Sequence, residues 1–140
     1  MIRVVVDANV LVSAAISVGP SHRIVSAAFM ADGVTAIVCP ALLAEVSSVL
    51  DRPRIQKRVP HERAAAFLDD LVTLLDVVAD PSKVLPVTRD PKDDYLVALA
   101  AEHGVDFIVS GDKDLLEWEG QLPPVMAPAA FWNLLDSTDR

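Results

Sequence analysis

One cysteine, Cys39, is all this chain of 140 residues contains, so no intrachain disulfide can form and nothing calls for an oxidising compartment. That thiol reads as a small buried hydrophobe. The three histidines, His22, His61 and His103, are scattered without metal-ligand spacing, which disfavours zinc. Glycines number only five and build no phosphate-cradling loop, and there is no nucleophile elbow. The run "DAN" at 7–9 lacks the second acid of an Asp-x-Asp phosphatase, so a phospho-aspartate route is weak. No apolar stretch approaches the ~20 residues needed to span a bilayer. The opening "MIRVVVDANV" enters a strand-like run without the basic-then-apolar layout of a secretory signal, and the expectation is a soluble, cytoplasmic protein with no membrane contact.

Basic residues are also scarce, 12 against 20 acids, for a net charge of −8. This argues against a general nucleic-acid coat protein, because non-specific affinity comes from Lys and Arg neutralising phosphates. A nucleic-acid enzyme whose own acids hold cations is not excluded. Arg52, Arg54, Lys57, Arg58 and Arg63 gather in one short segment opposed only by Glu62. That patch reads either as a solvated surface or as a track for an RNA backbone through Arg52, Arg54, Lys57 and Arg58.

Aromatic residues make up 5% of the chain against an apolar fraction of 52%, so Val, Leu, Ala and Ile must fill the core. Such a core suits a parallel sheet covered by helices on both faces. The segments "IRVVVD" (2–7), "TAIVCP" (35–40), "DFIVSG" (106–111) and "PVMAP" (124–128) read as strands. Helices are expected over 21–33, with Ser21 as N-cap and Gly33 as C-cap, over 41–52, stopped by Pro53, over 61–76, and over 128–137. "DPKDDYLVALAAEHG" adds a buried helix with Asp90 as cap and Pro91 at its first position. The stretch 77–94 is the longest turn-rich connection and reads as a loop inside one domain spanning 1–140. Alternation of strands and helices predicts an α/β fold with a mainly parallel sheet.

In such sheets ligands bind outside the carboxyl ends of the strands. Asp7 ends the first strand and Asp112 follows a later one, with Asp114 two residues on. Asp94 shares a helix face with Val97, Ala98 and Ala101 and is expected to point inward, while Asp90 and Asp93 point elsewhere. Glu45 sits on the edge of the apolar stripe of "ALLAEVSSVL". Each acid also has a plain structural use: Asp7 and Asp112 as caps, Asp94 at a positive helix end, Glu45 as an edge residue reaching outward. Taken together, the acids form a like-charged cluster that is costly without a positive neutraliser, and inward-facing bases are too few. A hard divalent ion, Mg²⁺ or Mn²⁺, held by Asp7, Glu45, Asp94 and Asp112 answers that need and suits phosphodiester hydrolysis.

Four motifs in order, "VVVDANVLVSA", "PALLAEVSSVL", "DPKDDYLVALA" and "FIVSGDKDLL", resemble the PIN domain family over nearly the whole chain, and most of all its VapC-like branch of toxin-antitoxin ribonucleases. The resemblance implies a three-layer α/β/α sandwich. It implies a catalytic and metal-binding quartet of Asp7, Glu45, Asp94 and Asp112, with Asp114 beside the metal, Asp93 in support, and Asn9 and Ser110 orienting ligands. Ser110 stands where threonine is common in the family, and Asn9 where serine or threonine is; neither change removes a carboxylate. The implied activity is metal-dependent endoribonuclease, restrained by a small antitoxin that lays a basic peptide across the acidic crevice, in a protein that dimerises. The alternatives are a housekeeping metal-dependent nuclease or phosphatase with the same acids, and a catalytically silent binding module in which those acids only cap helices.

Overall fold

The computed structural model describes residues 1–121 and 123–137. The chain opens with β1 (Ile2–Val6), whose last three valines are fully buried, then turns at Asp7 into α1 (Ala8–Ile16) and α2 (Pro20–Phe29) before β2 (Val34–Val38). Next come α3 (Pro40–Leu50), the single turn α4 (Pro53–Gln56) and α5 (His61–Leu74), which leads into the two-residue strand β3 (Asp76–Val77). After a long connection follow α6 (Pro91–His103), β4 (Phe107–Val109), the turn α7 (Lys113–Leu116), β5 (Val125–Met126) and α8 (Pro128–Ser137).

All strand pairings are parallel, in the order β3-β2-β1-β4-β5, with Val4 opposite Ala36 on one side and Phe107 on the other. Chain direction across the sheet reverses once, between β1 and β4. Right-handed crossovers then place α1 to α5 on one face and α6 and α7 on the other, giving the three-layer α/β/α sandwich. Accordingly α1 packs on α2 and α3, α6 lies against β1 and β4, and α8 returns against α2. The buried core is aliphatic, with Leu11, Ile24, Ile37, Leu42, Leu96, Leu99 and Ile108 fully enclosed and Phe131 as its one large ring. Cys39 is fully buried, and burial pushes its thiol up to about 11, so it is no nucleophile at neutral pH.

Three sequence expectations shift. Ser21 does not cap α2: Pro20 occupies the first helical position after Gly19, because its fixed φ suits that place and its missing N–H loses nothing there, and Ser21 falls inside the helix. The same helix stops before Gly33, where Ala31 adopts φ 51° and the Asp32 N–H closes onto the Ala27 carbonyl at 2.8 Å. β3 lies where a helix end and a loop were expected, since two residues carry no periodicity to read. Among the described residues no single helix is long and apolar enough to cross a membrane; α1 and α2 pass that test only as a pair bent by 97°.

Candidate metal centre

The carboxyl end of β1 meets that of β4 at the point where strand order reverses, the place where open parallel sheets bind ligands. Asp7 and Asp112 sit there. Each caps the helix that follows: Asp7 accepts from the Asn9 N–H at 3.4 Å and Asp112 from the Asp114 N–H at 2.9 Å. Ser110, fully buried at the end of β4, ties the two strands together. Its hydroxyl donates to Asp7 Oδ2 at 2.7 Å and accepts from the Asp112 N–H at 3.0 Å.

The third acid is Asp93, in the first turn of α6. Asp7, Asp93 and Asp112 each offer an oxygen, and these oxygens lie within 4.8 Å of one another. Ligand oxygens of an octahedral Mg²⁺ stand ~3 Å apart when adjacent and ~4.2 Å when opposite, so a bound ion would draw the three together. Glu45 stands apart from the trio but lines the same cleft of about 370 Å³, together with Asn9, Arg52, Asp90 and Lys92. The Tyr95 hydroxyl donates to Glu45 Oε1 at 2.9 Å and fixes its direction.

Asp94 is not in this cleft. Its Oδ1 accepts from the Val87 N–H at 3.2 Å, the Thr88 N–H at 2.8 Å and the Thr88 hydroxyl at 2.7 Å. The sequence placed it by its shared face with Val97, Ala98 and Ala101; that face lines a separate cavity of about 220 Å³ together with Lys83, Leu85 and Val87 of the preceding loop, not the metal cleft. One residue earlier on the helix, about 100° around its axis, Asp93 takes the place assigned to Asp94. Asp114 also departs from its expected place. It is half-exposed, pairs with Arg89 at 3.6 Å and faces a different cavity. Of the basic segment, Arg52 reaches the rim of the cleft, while Arg54, Lys57 and Arg58 are exposed beyond it. Tyr95 was missed as a site residue; its spacing of two from Asp93 gave no signal, because its partner lies on another helix.

Burial, followed by the charges of Asp112 and Asp7, pushes the Asp93 carboxyl up to about 7. Asp7 is raised mainly by burial and further by Glu45 and Asp112, against the bonds from Ser110 and Asn9 that favour its ionised form. Asp93 Oδ2 is buried with no hydrogen-bond partner among the described residues. Facing ionised carboxylates have no donor between them, so only a proton or a cation can satisfy that oxygen. An all-oxygen donor set with an orphaned, charge-strained carboxylate fits a hard divalent ion. The positive ends of α1 and α6 point at the same spot and offset part of the repulsion.

A parallel α/β sheet carrying buried acids at its switch point defines the class, and the sequence narrows it further. A family model described as "PIN domain" matches residues 3–114, and the chain belongs to that family. The uncharacterized protein MJ1680 of Methanocaldococcus jannaschii is 28% identical over 116 residues, covering 82% of this chain and 74% of its own length. Among solved structures, PAE2754 from Pyrobaculum aerophilum superposes with a TM-score of 0.66 at 19% identity, covering 98% of this chain and 91% of that one. VapBC2 from Rickettsia felis, solved bound to a DNA fragment from their promoter, gives 0.62 at 10% identity over 90% and 98%. Both superpositions speak to the fold.

Proposed function

We propose that this protein is a divalent-metal-dependent endoribonuclease, the toxin of a toxin-antitoxin pair in the VapC-like branch of the PIN family. The observation that carries the reading is the convergence of Asp7, Asp93 and Asp112 on one buried point, with an Asp93 oxygen left unsatisfied. Those three residues would hold Mg²⁺ or Mn²⁺. When bound, the ion supplies charge neutralisation at the scissile phosphate and acidifies water for attack. Glu45, held by Tyr95 across the cleft, orients water and accepts its proton. Ser110 keeps Asp7 and Asp112 in register, and the exposed Asn9 lines the cleft beside them. Arg52 and Lys92 on the rim meet the phosphates on either side, with Arg54, Lys57 and Arg58 extending the track outward.

The partner reading draws on VapBC2 as a structural neighbour and on charge: a cleft rich in acids in a chain of net −8 is a target for a basic antitoxin segment. Self-association is part of the same reading, since Val72 and Leu74 leave α5 about half exposed at 51% and 50%. Two measurements decide the matter. RNA cleavage should require Mg²⁺ or Mn²⁺, stop with chelator, and fall at least ~100-fold in Asp7→Asn and Asp93→Asn. In a bacterial host the wild type should arrest growth, the Asp7→Asn variant should not, and co-expression of a small adjacent gene should restore growth. Cleavage without growth arrest would favour a housekeeping nuclease, and no metal-dependent cleavage of RNA, DNA or small phosphoesters would leave a binding module.

A further inference from the structure

Beside the metal cleft lies a second cavity of about 580 Å³, lined by Thr88, Arg89, Asp114, Glu117, Trp118 and Glu119 among others. None of these side chains belongs to the acid trio. The wall between the two cavities is thin in sequence at both ends: Arg89 precedes Asp90 of the cleft, and Asp114 follows Asp112 by two residues. The Arg89–Asp114 pair, 3.6 Å apart, lies on the second cavity's side of it. Trp118 is half-buried against the core, and the Gly120 backbone closes on it, since a Cβ there would stand 3.1 Å from the indole Nε1. The ring is held on one side by the core and borders the cavity. Glu117 and Glu119, both exposed, flank it.

We infer that this cavity is a nucleobase subsite for the nucleotide next to the scissile phosphate, selective for guanine. The inference rests on the ribonuclease reading of the neighbouring cleft and adds to it a substrate preference. A half-buried indole offers a stacking platform, worth ~1–3 kcal/mol per base in single-strand binders. The flanking carboxylates are acceptors only. Guanine alone among the four bases presents two adjacent donors, N1–H and N2–H, on its Watson–Crick edge, which one carboxylate can accept together. Arg89, whose side chain is 76% exposed, supplies the cation for guanine O6 and N7 or for the adjoining phosphate. Asp114, Glu117 and Glu119 outnumber Arg89 here, so a peptide guanidinium competes for the same acceptors and is tested beside the nucleotides. The volume falls inside the ~300–1,000 Å³ range of small-ligand pockets.

Calorimetric titration of the full chain, in chelator, with the four nucleoside 5′-monophosphates and with N-acetyl-arginine amide tests the site apart from cleavage. The guanosine nucleotide should bind at least about tenfold more tightly than the other three, the discrimination of one good bidentate pair. Trp118→Leu should weaken it about tenfold or more. In the Glu117→Gln/Glu119→Gln double variant the guanine advantage should disappear, because an amide oxygen beside an amide N–H₂ cannot accept both donors. Both glutamates are exposed, so this variant folds independently of the Trp118 packing. Equal binding of all four nucleotides, no binding of any, or binding of the arginine amide in place of the guanosine nucleotide would overturn the subsite. Guanosine selectivity in a protein that cleaves no RNA would keep the subsite and remove the ribonuclease reading; RNA cleavage with no guanosine selectivity would do the reverse.

Discussion

Asp93 and Asp94 differ by one position and face different surroundings, one the acid cleft and the other the preceding loop. Asp94 satisfies two loop amides and a hydroxyl, all only part-buried, so Asp94→Ala gives these donors up to water and should cost ~0.5–1.5 kcal/mol of stability while metal-dependent cleavage persists. Asp93→Asn should show the reverse pattern, with cleavage lost and the fold kept; denaturant melts and cleavage assays on both variants separate the two. The pH response of the metal-free protein follows from the same residue. The Asp93 carboxyl is pushed up to about 7 from an ordinary 3.8, so the folded state holds a proton that the unfolded chain has already released. The associated stability is complete below pH ~4 and is lost as pH rises through about 7. In chelator, the melting temperature of the wild type should therefore fall between pH 5 and 8 by a few degrees more than that of Asp93→Asn, and Mg²⁺ at pH 8 should restore it in the wild type alone. Identical pH slopes in the two proteins would show that Asp93 is not the strained acid.

At the scale of elements, the site is a junction of strand ends rather than a feature of any one segment. Ser110 at the end of β4 bonds both Asp7 after β1 and Asp112 before α7. Ser110→Ala removes both bonds without changing the donor set, and second-layer losses of this kind typically weaken metal affinity ~10–100-fold. Ser110→Thr keeps the hydroxyl and should retain most of the affinity, as read by titrating Mn²⁺ against melting temperature. Equal affinity in the alanine variant would mean that helix capping alone positions the acids. The termination of α6 gives a control far from this chemistry: Gly104 takes φ 56° as its C-cap, so Gly104→Ala should cost ~1 kcal/mol in a denaturant melt with no change in metal affinity.

For the whole molecule, the balance of −8 makes any RNA contact depend on a few placed cations. Removing Arg54, Lys57 and Arg58 together should reduce the salt slope of RNA binding by up to ~2, given ~0.7 per phosphate contact on a single strand, and an unchanged slope would place the RNA elsewhere. The parallel α/β class was legible in the sequence, because strand-length apolar runs alternating with helical periods leave few other ways to bury an aliphatic core. Asp7 and Asp112 were legible as well, since a residue that ends a buried strand has one place to be in a parallel sheet. Pairing at β3 was not legible, being two residues long, nor was the rotation of α6 that turns Asp93 to the cleft and Asp94 to the loop. A helix apolar on nearly every side carries little information about its own rotation; the sheet below and the 83–88 segment above decide that. The sequence by itself determined which elements form and which acids stand at their ends. Only the tertiary structure decided which of two adjacent carboxylates faces the others, because that choice belongs to contacts made across the fold.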